Sequence, residues 1–442
     1  MKRIMLFIVF SALLFLFSKA QAFAQNFYVD AEFRPRSEYR DGYQKPLSSS
    51  QDPAFIMINR TRLKVGFEND WINSAITLQD SRVFGQSEIT SQNIGLNLYE
   101  GWVELKLIPD FTFTIGRQAI AYDYNRLFST SNWTNTGKAH DLALLKYNNK
   151  DIKFRADLGF AYNNPSEVLH ETLFNDDTKL YQSLGYLRLE KSFENGLKAG
   201  AIFVGEGFQN IQTDTLGVDY VDGHFGRYTT GANFELNNKE FPLSFTLTGY
   251  YQFGNSYSKT TYVDNLLVHK DLNAYFGAVK IDYNIINNLG IFVGMDYYSG
   301  TDEDAAEDNT WNKLYGSNHS FNGSMEYWKS VPTEGLVDYY GGLKYGFLKN
   351  KINAEVTYHF MTTQKDIQNE ECSGKKLGSE LDIKLKYKIV KNVALEGGWS
   401  TYFNSDNTNI IKGVETDLHF NQWAYLSLII NPQLFNTKNL KN

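Results

Sequence analysis

Alternation with a period of two is the feature that most limits what this chain can become. From 27 to 40, Phe27, Val29, Ala31 and Phe33 fall on one side, and Tyr28, Asp30, Glu32, Arg34, Arg36, Glu38 and Arg40 on the other. A β-strand sends successive side chains to opposite faces, so this segment has one apolar face and one crowded with charge. The next such segment sets Arg60, Arg62, Lys64 and Glu68 opposite Thr61, Leu63, Val65 and Phe67. Near the other end, Leu381, Ile383, Leu385 and Tyr387 oppose Glu380, Asp382, Lys384 and Lys386. A soluble sheet has little reason to repeat this so often. A wall that is apolar toward lipid and charged toward a lumen has every reason.

About 18 such segments can be marked, an even number as bacterial barrels require. Their connections alternate in length. Short turns rich in Asn, Gly and Asp fall at Asn69-Asp70, Pro109-Asp110, Asn148 to Lys150, Lys349-Asn350 and Val390 to Asn392; such residues tolerate tight-turn dihedrals. Long polar stretches fall between them, for example at 39–53, 122–139, 163–179, 207–225, 255–271, 301–335, 362–378 and 404–418. The expectation is an all-β fold: a transmembrane, antiparallel, up-and-down β-barrel with short periplasmic turns, long extracellular loops and both termini on the periplasmic side. Two places break the pattern. Strict alternation from Phe113 and Ile115 sends Arg117 toward lipid, and from Ile76 and Leu78 it sends Asp80 and Arg82 there. An arginine at the bilayer midplane costs ~2–4 kcal/mol, so a bulge at Gly116 or a position at the rim is expected. The last strand, 422–431, is densely apolar, yet the chain passes Phe435 and ends at Asn442 rather than on an aromatic residue.

The first 24 residues read as an export signal. Lys2 and Arg3 precede the apolar run Ile4 to Phe17, and Ala22-Phe23-Ala24 supplies a cleavage site. The run is short for a membrane-spanning helix, which needs about 20 residues. Residues 25–442 carry no linker and no break in composition, so a single barrel is expected there. The only cysteine, Cys372, has no partner for an internal disulfide. Export, a barrel and no lipoprotein cysteine point to the outer membrane of a Gram-negative bacterium.

The net formal charge is −7, and more negative still without Lys2, Arg3 and Lys19. A basic stripe in such a chain is not a by-product of composition. Nine of the eleven arginines beyond the leader lie at or before Arg155: Arg34, Arg36, Arg40, Arg60, Arg62, Arg82, Arg117, Arg126 and Arg155. A permanently charged, two-pronged donor suits carboxylates, and rings of Arg or Lys bias a pore toward anions. These nine are expected to line the pore, with Asp30, Glu32, Glu38, Glu68, Glu100 and Glu104 as their charge partners. The bland alternative is a wall of mutually paired charges that only stiffens the barrel.

Other features carry less. Asp302, Asp304 and Asp308 are weak candidates for Ca²⁺, but the glycine of an EF-hand turn is missing and a solvated acidic loop is the simpler reading. No metal and no cofactor is expected. His140-Asp141 beside Ser129 and Ser131 suggests a hydrolase only faintly; there is no Gly-x-Ser-x-Gly, metal-binding His pair or phosphate loop. The chain is not expected to be an enzyme, and nothing points to nucleic acid. A hydrolase barrel and a closed structural or adhesion barrel are the alternatives. Trp71, Trp102, Trp399 and Trp423 suit interfacial girdles, and Trp102, sharing a face with Glu100 and Glu104, is the candidate for a lumenal ring.

Several stretches together resemble the alginate-export outer-membrane porin family in its Bacteroidetes-like form. They are FRPRSEYRDGY at 33–43, NRTRLKVGFE at 59–68, LQDSRVFG at 78–85, EGWVELKL at 100–107, TIGRQAIAYDYNRLF at 114–128, Trp133 with GKAHDLALLKY at 137–147, and LYGSNHSFNG at 314–323. Their order and spacing carry the resemblance. It implies an 18-stranded monomer with an arginine-lined constriction that passes a uronic-acid polymer such as alginate, with outer-membrane lipid and the barrel-assembly machinery as further partners. Arg34, Arg36, Arg40, Arg60, Arg62, Arg82, Arg117 and Arg126 stand at the matching positions. One departure is plain: the alginate exporter's long periplasmic turn before its last strands corresponds here to the short Val390 to Asn392.

Overall fold

Each alternating segment becomes a strand, hydrogen-bonded antiparallel to its sequence neighbours. The computed structural model describes residues 26–440 except 88–94, 175–180, 239–240, 264–265, 303, 369–372 and 417–419. The leader and Cys372 lie outside the described residues. In order, the strands are β1 (Asn26–Asp41), β2 (Ala54–Glu68), β3 (Ile72–Val83), β4 (Leu96–Ile108), β5 (Phe111–Gln118), β6 (His140–Asn149), β7 (Phe154–Tyr162), β8 (Ser183–Ser192) and β9 (Leu197–Thr213). Then come β10 (Asp219–Asn237), β11 (Leu243–Val263), β12 (Leu266–Ile286), β13 (Leu289–Tyr298), β14 (Leu336–Phe347), β15 (Ile352–Gln368), β16 (Ser373–Val390), β17 (Val393–Asn404), β18 (Asn421–Ile430) and β19 (Gln433–Asn436).

The barrel closes where β1 meets β18 and β19. Those two are one wall position broken at Asn431-Pro432, which makes eighteen walls. Proline has no N–H for the ladder. Its carbonyl instead accepts from Ala31 N at 3.0 Å, and pairing resumes with Gln433 opposite Asp30 and then Phe435 opposite Val29. The Phe435 ring lies 6.0 Å from that of Phe27, so the closing strand does carry an aromatic residue near its end.

Large apolar side chains stand exposed along the outside, among them Leu158, Phe160, Val293, Leu343 and Leu426. The buried apolar cluster lies within the lumen instead, around Phe128, Tyr186, Tyr315, Trp328 and Trp423. This inversion is what a lipid-facing barrel requires.

The long connections behave in two ways. Those at 207–225, 255–271 and 362–378 were expected as loops but run on largely as strand: β11 and β12 are 21 residues each, against 10 for β6. Beyond the membrane both faces of a hairpin are in water, so no apolar periodicity marks it in sequence. The connections 119–139 and 299–335 fold inward and fill much of the lumen, and a short helix, Asp406–Lys412, lies in the last one.

Candidate functional site

Arg34 and Arg36 of β1 and Arg60 and Arg62 of β2 point inward and are buried, and they grip the inward-folded segment 131–137. Arg60 is 0% exposed. Its Nε lies 2.6 Å from Glu32, its Nη1 donates to the Asn132 and Thr134 carbonyls at 3.1 Å each, and its Nη2 to Asn132 Oδ1 at 2.8 Å. Arg34 donates to the carbonyls of Asn132, Trp133 (3.2 Å) and Thr134 (2.7 Å). Arg36 donates to the Trp133 carbonyl at 2.9 Å and lies over its ring at 4.2 Å. Arg62 reaches Asn132 Oδ1 at 2.9 Å and the Thr136 carbonyl at 3.2 Å. Arg34 stands directly opposite Arg60 in the ladder, a repulsive arrangement in isolation. The carbonyl oxygens, together with Glu32 and Glu38, supply the negative ends that make it tenable.

A bulge serves the same cluster. Thr77 pairs with Glu100 but Leu78 with Leu98, leaving Tyr99 as an extra residue. Tyr99 therefore faces inward beside Glu100, and the Arg62 guanidinium sits 3.6 Å from its ring.

The other expected pore residues divide. Arg40 lies on the inner face against Glu38 at 2.9 Å, and Arg155 against Asp157 at 2.6 Å. Arg126, on the inward-folded segment, holds Asp296 across the lumen at 2.9 Å and lies 3.5 Å over Phe321. Arg82 and Arg117 are corrections. Arg82 shares the outer face with Leu78 and holds Asp80 through two bonds of 2.8 Å. Arg117 follows Ile115 on the outer face, near the strand end, and pairs with Asp141 at 2.7 Å. Of the two devices expected there, the rim position is found, without a break in register. Gly116 takes a φ of +119°, and a Cβ on it would come within 2.3 Å of the Gly101 carbonyl oxygen. Both charges reach the rim with a carboxylate beside them, which removes most of the cost of the lipid side.

Two arginines escaped the sequence reading. Arg188 holds Asp123 of the inward segment at 2.8 Å, and Arg227 holds Glu206 at 2.7 Å, which also accepts from Tyr315. Their signal was available, since each sits at an inward position of an alternating strand.

Of the expected charge partners, Glu32 and Glu38 bind arginines. Glu68 and Glu104 bind Lys106 (3.3 Å) and Lys146 (2.9 Å) instead. Glu100 accepts from Thr77 and Ala119 N, and Asp30 from Gln433. Trp102 is lumenal as expected, with Lys64 5.9 Å from its ring.

The two inward segments are joined to each other. Trp133 stacks on His319 with ring centroids 4.0 Å apart and planes 5° off parallel. Ser129 N donates to the Tyr315 carbonyl at 3.1 Å, and Ser317 N to the Asn125 carbonyl at 2.9 Å. Half-buried lysines tie backbone carbonyls: Lys138 those of Tyr315 and Gly316, Lys313 that of Trp328, and Lys412 that of Tyr327. Burial pushes Lys313 down to about 7, and Lys138 and Lys412 to about 8.

Open space remains on the far wall. A chamber of about 520 Å³ lies against β10 to β16, walled in part by Tyr124, Arg126, Lys280, Phe292, Tyr340 and Lys384. A second, of about 570 Å³, shares Lys344, Glu355 and Lys384 with it and reaches the periplasmic turns. Carboxylates deep in the chamber are already engaged: Asp296 with Arg126, Asp338 with His359 at 2.9 Å, and Asp382 with Ser400 at 2.5 Å. Lys280 and Lys344 share Asp282, at 3.7 and 3.0 Å. Lys386 holds Glu396 at 3.0 Å, while Lys384 makes no ion pair among the described residues. The mouth carries Lys344, Lys384, Lys386 and Lys388 against Glu355 and Glu396. The sequence reading noted Lys384 and Lys386 as inward charges without weighing them as a site.

The remaining candidates separate. Asp302 pairs with Lys365 at 2.6 Å, and Asp308 accepts from Ser256 and Thr301. Among the described residues no three His, Cys, Asp or Glu side chains are grouped to hold a metal. His140 Nδ1 lies 3.0 Å from the Tyr181 hydroxyl, while Ser129 Oγ accepts from Ser131 N, so the faint hydrolase pairing is not assembled.

Compared with models of known protein families, residues 26–408 match that of alginate export. A comparison with curated proteins gives no match. Among solved structures, Acinetobacter baumannii OccAB1 superposes with a TM-score of 0.63 at 14% identity, covering 92% of this chain and 97% of that one. Pseudomonas aeruginosa OpdL gives 0.60 at 11% identity, covering 92% and 99%. P. aeruginosa OpdK, solved with vanillate, gives 0.59 at 9%, covering 92% and 98%. At these identities the likeness is one of fold.

Proposed function

The chain belongs to the alginate export family and is a channel-forming barrel of the Gram-negative outer membrane, and we propose that the solute it passes is an anionic saccharide, an oligomer or polymer rich in uronic acid. The observation that carries this is the chamber along the far wall, which opens among four lysines and two glutamates on the periplasmic side. A low-dielectric wall strengthens each unbalanced charge, so a small surplus of lysine biases the path toward anions. The β1–β2 arginines contribute by fixing segment 131–137, which sets the width of the lumen. We assign residues 1–24 to export, insertion to the barrel-assembly machinery, and the working state to a monomer.

Planar-bilayer recording tests the reading. Under a salt gradient the reversal potential is expected on the anion side, and uronate oligosaccharides are expected to interrupt single-channel current. Cation selectivity, or current indifferent to those oligosaccharides, overturns it. The packing of the inward segments favours one rival, a closed barrel with a structural role at the surface. Reconstituted protein without conductance supports that rival.

A further inference from the structure

The inward segment turns at Asp123, Tyr124 and Asn125, whose φ angles are +46°, +58° and +69°. Three consecutive residues, none of them glycine, thus occupy the left-handed region, which costs L-residues ~1–2 kcal/mol each. Such a conformation persists only where its surroundings over-determine it. Here they do. Arg188 holds the Asp123 carboxylate at 2.8 Å, Asn125 N donates to the Tyr122 carbonyl at 2.8 Å, and the Asn125 carbonyl accepts from Ser317 N at 2.9 Å. Arg126 is fixed to Asp296 immediately after.

The product of this strain is the placement of one ring. Tyr122, Phe128, Tyr315 and Trp328 of the inward segments are all buried, whereas Tyr124 is 47% exposed and lines the chamber. Its hydroxyl faces Glu235 and Thr246, which hold that edge, and the side chain stays partly exposed to the chamber. Lys280 and Lys344 stand on the same chamber wall, each 4.7 Å from the Phe292 ring, with Asp282 between them.

We propose that Tyr124 is the specificity-determining residue of the chamber: a platform on which one pyranose ring of the acidic saccharide stacks. This rests on the solute class inferred above. The face of a tyrosine ring is electron-rich, and the C–H face of a pyranose is its complement. Glu235, Thr246 and Asp282 supply partners for sugar hydroxyls, and the lysines supply partners for the carboxylate. An acyclic anion of the same charge uses the lysines alone. Tyr124 therefore separates ring-bearing anions from others.

The test uses the whole barrel in planar bilayers, with hexuronate oligosaccharides and citrate as separate probes. Tyr124→Ala and Tyr124→Leu are expected to shorten the oligosaccharide block about tenfold, the size that an aromatic contact supports, with citrate unaffected. Tyr124→Phe is expected to keep the block. The leucine variant retains bulk where the alanine variant disturbs the turn. Wild-type-like block in both variants, equal loss for citrate, or loss in Tyr124→Phe overturns the platform. A wild-type channel that the oligosaccharides never block overturns the solute reading itself, which is a distinguishable failure.

Discussion

The two sides of the lumen bear cations of different kinds put to different uses. On the β1–β2 wall Arg34, Arg36, Arg60 and Arg62 are buried, and their guanidinium groups end on loop carbonyls, an amide or a carboxylate. On the β12–β16 wall the lysines border open space, with Lys280 and Lys344 sharing Asp282. Inward charge alone therefore does not make a selectivity site. What matters is whether a charge has been spent on the protein's own backbone. Arginine suits the first task because its planar fork serves several acceptors at once, and lysine the second because a compact ammonium stays hydrated and available.

The largest effect is expected from Arg60→Ala. Removing one partner of a buried pair costs about 3–5 kcal/mol, here borne by Glu32 and the Asn132 and Thr134 carbonyls. Segment 131–137 should leave the wall, single-channel conductance should rise, and protease should cut within 119–139. Unchanged conductance and continued protection would show that the arginines do not hold the constriction.

Next in size is Lys344→Glu with Lys384→Glu. Reversal potentials should move toward the cation side while conductance stays within about twofold, because these side chains are partly solvated. If Arg60→Ala shifts selectivity more than this double variant does, the division of labour drawn here is reversed.

A smaller, graded effect follows from Lys313. Its closed-state value near 7 lies below the ordinary value of about 10.4, so between those limits the loosened state binds more protons. Closure should therefore weaken as pH falls from 10 toward 7, in the same direction as Lys138 and Lys412 act, and level off below the folded value. Open-state noise recorded against pH checks this, and Lys313→Met should flatten the part due to that residue. The smallest effect is expected of Arg82→Gln. An exposed pair contributes little, so conductance should not change and thermal stability should fall only slightly.

The strands could be read because lipid and lumen impose opposite demands on neighbouring residues, which is why Phe33 and Arg34 announce a wall. The same rule exposed Arg82 and Arg117 as misfits, though their partners came from the next turn of the pattern and from another strand. Where the arginines end was not legible. The carbonyls of Asn132 and Thr134 are backbone atoms 72 to 100 residues away, and a carbonyl has no signature in sequence. Nor was Tyr124 legible, since its exposure depends on left-handed dihedrals that nothing in Asp-Tyr-Asn requires. The tall hairpins were missed for the opposite reason: in water on both faces, they show no alternation to detect.

Those hairpins have a consequence of their own. A membrane crossing uses about 9–11 residues, so 21-residue strands in β11 and β12 carry roughly 30 Å of paired backbone beyond the bilayer, while β6 to β8 stop near it. The extracellular edge is consequently lopsided, like a cup with one high side. Amide hydrogens on the high side should exchange slowly although they stand in bulk water. A long chain passing the edge would be steered toward the low side, giving the assembly a preferred direction of exit or approach in the plane of the membrane.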